Sequence, residues 1–308
     1  MLGTRLDYFI LRSMAHRRNL ASEQQLDDAF KQVSKATFQA QMPKFRKLIE
    51  RFDGHLPLDP KLRYLDLGCG TGELTMAFAK LGAGGVAGMT TGAITGVDIL
   101  PRSIDRARKL ASEVGVAEQV NFICQDVHTW FPAAEERYDV VLSFDALEHI
   151  DQPRQFLHKM ADLVTPGGIA VLAFGPLFHS PFGDHMWDFF RVQIPWRGIL
   201  FPEQTLLRVR REYFRPTDPA RRYRDIAGGL NQMRYADFLR SVHATGWEFD
   251  FLAVNTFLKR WPALRTLSDW LMRIPGLQDY FVHNVYAVLR RPTPSPSPVN
   301  AMNEGAKP

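Results

Sequence analysis

Cysteine is nearly absent: Cys69 and Cys124 are the two in 308 residues. A disulfide scaffold is thereby excluded, and both thiols read as reduced, as expected of a cytoplasmic protein. Long apolar runs are missing as well, since no stretch reaches the ~20 residues that a bilayer-spanning helix needs. The apolar patch Tyr8-Phe9-Ile10-Leu11 is bracketed by Asp7 and Arg12, too short and too charged for a secretory signal. Arg5, Arg12, Arg17 and Arg18 suggest a transit peptide, but the amphipathic pattern continues past them and argues against one. Nor does one sign of charge dominate. With 38 basic against 33 acidic residues the net charge is +5, compatible with an anionic substrate or membrane surface and too slight to make nucleic acid a primary partner. No internal repeat is present.

What the chain has is 45% apolar residues, enough for a sizeable core, and a regular alternation of strands and helices after residue 60. Expected strands are Tyr64–Leu67, Ala93–Ile99, Val120–Cys124, Tyr138–Phe144 and Ile169–Phe174, the last entered through Pro166-Gly167-Gly168. Between them fall helices, one carrying Ile104, Ala107, Leu110, Ala111 and Val114 on one face and another with Asp151 as its N-cap. This alternation predicts an open, doubly wound parallel sheet. Ahead of it, residues 1–60 read as a helical extension, with Phe45, Leu48, Ile49 and Phe52 at helical spacing and Pro43 near that helix's start. Residues 61–175 form the core. A cap over the strand ends occupies 176–230, and the core resumes over 231–291 with a helix near Tyr235–Thr245 and strands Trp247–Val254 and Phe281–Leu289. An insertion at 255–279 interrupts that part, and residues 292–308, with P-T-P-S-P-S-P, read as a disordered tail. Leu81–Gly92, rich in Gly, Ala and Thr, reads as an extended loop.

The stretch Tyr64–Thr75, Y-L-D-L-G-C-G-T-G-E-L-T, carries the function. A strand that turns through Gly68, Gly70 and Gly72 into a helix brings bare backbone N–H groups to whatever lies above the strand end. A dinucleotide fingerprint would need glycine at 73, where the chain has Glu73. G-x-G-x-G after an acidic residue instead resembles motif I of the class I S-adenosylmethionine-dependent methyltransferases. The resemblance spans roughly residues 60–175 and implies a seven-stranded, Rossmann-like sheet whose last strand is antiparallel, with S-adenosylmethionine as cofactor. It implies Asp66 at the turn facing the cofactor's cationic groups, and Gly68, Gly70 and Gly72 in the phosphate-free glycine turn. Asp98 would accept the ribose hydroxyls and Ile99 would pack on the adenine. Asp126 and Val127 would meet the adenine edge, and Phe144 the methionine part.

The same resemblance implies methyl transfer to a nucleophile, and a base is sought among histidines beyond the strand ends. Asp145-Ala146-Leu147-Glu148-His149 is similar to the E-x-x-E-H segment of quinone-biosynthetic O-methyltransferases, some of which hold a metal there. Asp145 replaces the first glutamate, and no metal is expected. His149 reads as base, metal ligand or structural residue, and His179 as base, substrate contact or loop residue. The N/D-P-P-Y/F tetrad of enzymes acting on adenine or glutamine amides is absent after the fourth strand. The arginines of 208–224 form either a salt-bridged face, a clamp for an anionic acceptor or an RNA surface. The insertion with Trp261, Leu264, Leu267, Trp270, Leu271 and Met272 either packs on the cap or rests on a membrane. The expected activity is methylation of an oxygen on a small organic, glycan or lipid-like acceptor. Methylation of carbon or nitrogen, and binding of the cofactor without catalysis, are the alternatives.

Overall fold

The computed structural model describes residues 2–15, 33–83, 94–130, 132, 137–186, 189–216, 218–226, 229–256, 258, 263 and 265–293. The loop at 81–92 and the tail at 292–308 fall largely outside them, and Arg17, Arg18, Ala93, Trp261 and Leu264 wholly so.

Strands β1 (Tyr64–Leu67), β2 (Ile94–Asp98), β3 (Val120–Cys124), β4 (Tyr138–Phe144), β5 (Val164–Phe174), β6 (Glu248–Thr256) and β7 (Val282–Arg290) form one sheet, in the order β3-β2-β1-β4-β5-β7-β6. The first five run parallel, and β7 is antiparallel to both β5 and β6. The winding direction reverses between β1 and β4. The strand ends diverge at such a switch point and leave a crevice for a ligand.

Both faces of the sheet are covered, and strand periodicity sorts the side chains between two cores. Tyr64, Val140, Leu142, Val171 and Val288 point to one core, beneath helices α2 (Lys35–Glu50), α3 (Glu73–Lys80) and α4 (Pro101–Val114). Leu65, Val141, Ala170, Leu172 and Ala287 point to the other, beneath α5 (Pro153–Leu163) and α8 (Tyr235–Ala244). The local signals for α4 are clear: Pro101 sits in its first turn, and Gly115 ends it at φ 73°, a left-handed conformation that glycine adopts without Cβ strain.

Several boundaries differ from the sequence reading. Pro43 lies in the middle of α2, because a capping box between Ser34 and Thr37 starts the helix nine residues earlier than the proline. Gln152, not Asp151, is the N-cap of α5, and no side chain caps it. β5 begins at Val164: Tyr138 pairs with Val164 and Val140 with Ile169, so Pro166-Gly167-Gly168 is an irregularity inside the strand and not its entrance.

The cap has a core of its own. Helix α1 (Leu2–Met14) contributes Leu11, which packs with Phe178, Met186, Phe190, Leu206, Val209, Phe214 and Tyr223, several of them from α7 (Glu203–Tyr213). The N-terminal extension is thus divided, α1 joining the cap and α2 the sheet. Inside this core the Arg197 guanidinium donates to Asp184 at 2.7 and 3.0 Å and lies 4.0 Å from the Phe190 ring centre. The short helices α6 (Arg197–Leu200) and α10 (Gln278–Phe281) and the seven-residue α9 (Arg265–Leu271) complete the described α-helices, and Leu147–His149 and Tyr223–Asp225 are 3₁₀ turns.

Candidate active site

A cleft of about 630 Å³ opens at the switch point, where the ends of β1, β2, β3 and β4 meet the cap. Its lining includes Gly68, Gly70, Asp98, Ile99, Asp126 and Val127 from the sheet edge, Asp145, His149 and Ile150 after β4, Arg224 and Gly229 of the cap, and Asn231 just beyond it.

The glycine turn is fixed from both sides. Gly68 and Cys69 donate their N–H groups to the Val97 carbonyl, while Gly70 N–H donates to Asp98 Oδ2 at 2.9 Å. Asp98 Oδ1 accepts from Leu100 N–H, also at 2.9 Å. One carboxylate at the end of β2 thus orders the turn above β1 and still presents lone pairs to the cleft. A Cβ on Gly70 would meet nothing within 4 Å, so the backbone there borders open space. Ile99 and Leu100 are 60% and 44% exposed, an apolar shelf beside Asp98. Asp126 accepts from His128 N–H at 2.9 Å and holds the turn after β3. A carboxylate for vicinal hydroxyls, an apolar shelf and a second carboxylate form a set of acceptors and apolar surface that fits an adenosine.

Four of the expected site residues lie elsewhere. Asp66 shares a strand face with Tyr64, so its side chain goes under α3, where it is 2% exposed and accepts from Thr75 Oγ1 at 2.5 Å. Burial raises its carboxyl to about 6. Asp66 therefore supports the turn from below and does not face the cleft. Gly72 is a packing glycine, since a Cβ there would stand 2.5 Å from the Phe122 ring. Phe144 follows Val140 and Leu142 onto the core face and packs edge-on against Phe52. His179 sits between Phe178 and Tyr280, outside the cleft wall, with Nδ1 buried and unpartnered.

His149 does line the cleft. Its Nδ1 lies 3.0 Å from the Gly229 carbonyl oxygen. A carbonyl only accepts, so Nδ1 carries a proton, and in the neutral ring Nε2 keeps its lone pair. The ring meets His185 edge to face at 5.5 Å. Burial holds His185 below the ordinary histidine range, and pushes His283 behind it down to about 4. Asn231, which the sequence did not flag, clamps the turn that carries His149. Its side-chain N–H groups donate to the Leu147 and Ile150 carbonyls at 2.6 and 2.8 Å, and its backbone N–H donates to Glu148.

Glu148 is 4% exposed, with one oxygen accepting from Gly175 N–H at 3.0 Å and the other unpartnered. Burial raises its carboxyl to about 7. The folded state holds this proton more tightly than the unfolded chain does, so stability falls as pH rises between the unfolded carboxylate range and about 7. The penalty above that window is on the order of 3 kcal/mol. Glu148→Gln is expected to flatten the decline in urea-unfolding free energy between pH 5 and pH 8, and an unchanged slope would locate it in other groups. Among the described residues no three His, Cys, Asp or Glu side chains are grouped so that they could hold a metal ion.

Of the arginine cluster, Arg208 pairs with Glu212, Arg210 with Asp218, and Arg224 borders the cleft.

A methyltransferase domain family matches residues 58–175, the segment that builds β1 to β5. The ubiquinone biosynthesis O-methyltransferase of Cereibacter sphaeroides is 37% identical over 111 residues, 36% of this chain and 40% of that protein. The mitochondrial ubiquinone biosynthesis O-methyltransferase of Dictyostelium discoideum is 28% identical over 153 residues, 44% of this chain and 47% of that protein. The chain thus spans less than half the length of these curated relatives. Among solved structures, the cyclase SpnF superposes with a TM-score of 0.50 at 18% identity, over 83% of this chain and 82% of that one, a likeness of fold. Residues 58–175, which build β1 to β5 and carry Gly68, Gly70, Asp98, Ile99, Asp126 and His149 of the cleft, are thus similar to a methyltransferase domain.

Proposed function

We propose that this protein transfers a methyl group from S-adenosylmethionine to an oxygen of a small organic, glycan or lipid-like acceptor. The observation that carries the reading is His149, a cleft-lining imidazole whose Nδ1 donates to the Gly229 carbonyl, so that in the neutral ring Nε2 is the nitrogen left to accept a proton. The similarity of part of the chain to ubiquinone biosynthesis O-methyltransferases supports oxygen as the acceptor atom.

In this reading the Gly68–Gly70 backbone borders the cofactor and Asp98 accepts the ribose hydroxyls. Ile99 and Leu100 support one adenine face, while Asp126 and the Val127 N–H meet its amino edge. When bound, the cofactor supplies a methyl carbon activated by a sulfonium. His149 Nε2 takes the proton of the acceptor hydroxyl, while the Gly229 carbonyl, through Nδ1–H, steadies the imidazolium that results. Asn231 holds the turn so that the ring stays aimed. Place of action is proposed as the cytoplasm. Among the described residues no helix is long and apolar enough to cross a membrane, while α9 exposes Leu267 and Trp270 at 45% and 58%, which suits contact with a membrane surface.

Turnover with a panel of phenols and S-adenosylmethionine is the test. His149→Ala is expected to lower kcat by about 10²-fold while S-adenosylhomocysteine affinity holds. His179→Ala, outside the cleft, is expected to change kcat by less than about threefold. Full turnover in His149→Ala would redirect the search to carbon or nitrogen acceptors that need no base.

A further inference from the structure

Asp145 has two sides. It borders the cofactor cleft, and it also borders a second cavity of about 310 Å³ between α2 and the ends of β5 and β7. That cavity is lined by Lys44, Lys47, Leu48 and Arg51 from α2 and its C-terminal end, by Ala173 and Phe174 from β5, and by Asn284 and Tyr286 from β7. Its volume matches a small ring and not a long chain.

The charge of its lining is one-sided. Lys44, Lys47 and Arg51 stand at i, i+3 and i+7, neighbouring positions on one helical face. Among the described residues none of the three has a carboxylate partner, whereas Arg106, Arg197, Arg208, Arg210, Arg240 and Arg290 all do. Arg51 is positioned by an aromatic neighbour: Nη1 donates to the Tyr286 hydroxyl at 2.7 Å, and the guanidinium lies 5.0 Å from that ring's centre. Tyr286 also accepts from Asn284 Nδ2 at 3.4 Å, which leaves its own hydrogen to donate. Asn284 Oδ1 is buried there without a partner. The one acid in the lining is Asp145, on the side toward the cofactor cleft. Its backbone takes φ 47°, a left-handed conformation costly for a residue with a Cβ, and is held by its N–H donating to the Ala173 carbonyl at 2.7 Å.

We propose that this second cavity is the acceptor's subsite, and that it selects a hydroxy acid: a small ring whose carboxylate meets Lys44, Lys47 and Arg51 while its hydroxyl lies at Asp145, toward the cofactor. The inference rests on the methyltransferase reading and sharpens it from any oxygen acceptor to an anionic one. It also moves anion recognition off the arginines of 208–224, of which Arg208 and Arg210 are neutralised by acids of the cap, and onto α2. The ring sits between Leu48 and Ala173. Its carboxylate gains two mobile ammonium groups and the fixed guanidinium, with the Tyr286 hydroxyl as a further donor. Asp145 stands at the hydroxyl end and disfavours a second anionic group there, so the two ends of the ligand are told apart by charge, while the hydroxyl proton is left to His149.

The experiment is calorimetric. Protein saturated with S-adenosylhomocysteine is titrated with 3,4-dihydroxybenzoate and with its uncharged amide. Exposed charge pairs contribute up to about fivefold each, so the acid is expected to bind at least about tenfold more tightly than the amide. In the Lys44→Ala/Lys47→Ala variant, whose changed side chains are exposed and leave the core intact, the two ligands are expected within about twofold of each other. Affinity for S-adenosylhomocysteine stays as in wild type, and 0.5 M salt erodes the wild-type preference. Equal binding of acid and amide by wild type, or a preference that survives in the variant, overturns the subsite while leaving the methyltransferase reading standing. Failure of wild type to bind S-adenosylhomocysteine at all overturns that reading, and this one with it.

Discussion

Asp98→Ala is expected to weaken S-adenosylhomocysteine binding by about a hundredfold or more while leaving the thermal midpoint within a few degrees of wild type. The carboxylate accepts from Gly70 N–H and Leu100 N–H, one oxygen each at 2.9 Å, and borders the cleft proposed to take the ribose. Hydrogen bonds to a charged group contribute roughly 1.5–3 kcal/mol each, so losing the ribose contacts alone accounts for a factor of about 10². The second loss is geometric: without Asp98 the Gly70 peptide has no partner to fix its orientation, and the turn must be ordered when ligand binds. Asp98→Asn separates the two effects. It keeps one accepting oxygen, so an intermediate loss of about tenfold is expected. The fold should tolerate both changes, because Asp98 ends β2 at the cleft and is not part of either core. Isothermal titration with thermal melts on the same samples is the measurement. Unchanged affinity in Asp98→Ala would remove the ribose assignment and with it the orientation of the nucleoside in the cleft.

The position of Asp98 in the cleft was legible in the sequence because it follows from two short-range facts, a strand ending and the glycine turn of the preceding strand. Strand existence and order of appearance were legible for the same reason: apolar runs bounded by turn residues identify buried parallel strands, and β3 and β4 match their expected limits residue for residue. What was misplaced shares one cause. Asp66 and Phe144 were assigned to the ligand by proximity in sequence to strand ends, but period-two alternation puts both on the face covered by α2 and α3. Gly72 belongs to helix–sheet packing against Phe122, a contact with a residue fifty positions away that no local pattern shows. The cap was harder still. Its core joins α1 to α7 across some 190 residues of chain, and Asn231 and Gly229 reach His149 only because that core holds them there. Spacing within a segment carries no information about such encounters. The lysines of α2 drew no attention in the sequence for the same reason, since the wall they border comes from β5 and β7.

The cap's hold on the cleft leads to the second large effect, at the Asp184–Arg197 pair. Arg197 is 1% exposed, makes a two-pronged contact with Asp184 and lies over Phe190, so this ion pair is buried within the apolar core of the cap. Its Nη1 has no partner, and the Tyr223 hydroxyl close by has none either. A buried pair of this kind is not in itself a large source of stability, because the desolvation of two charges offsets most of their attraction. Breaking it is another matter. Asp184→Ala leaves the guanidinium buried with no counter-charge, at a cost of about 3–5 kcal/mol, a large part of the ~5–15 kcal/mol that folded domains have. Replacing both residues, Asp184→Leu with Arg197→Met, is expected to cost much less than the single change and could be neutral. The loss should be local first. The sheet has two cores of its own, whereas the cap depends on the cluster that surrounds this pair. Limited proteolysis of Asp184→Ala should therefore cut within residues 176–230 before the sheet opens, and urea unfolding should become biphasic. Since Gly229 and Asn231 position His149 from the cap, turnover should fall in the same variant while S-adenosylhomocysteine, held by the sheet edge, still binds. A single-change variant within 1 kcal/mol of wild type would mean that water reaches Arg197, and that apolar packing alone keeps the cap over the cleft.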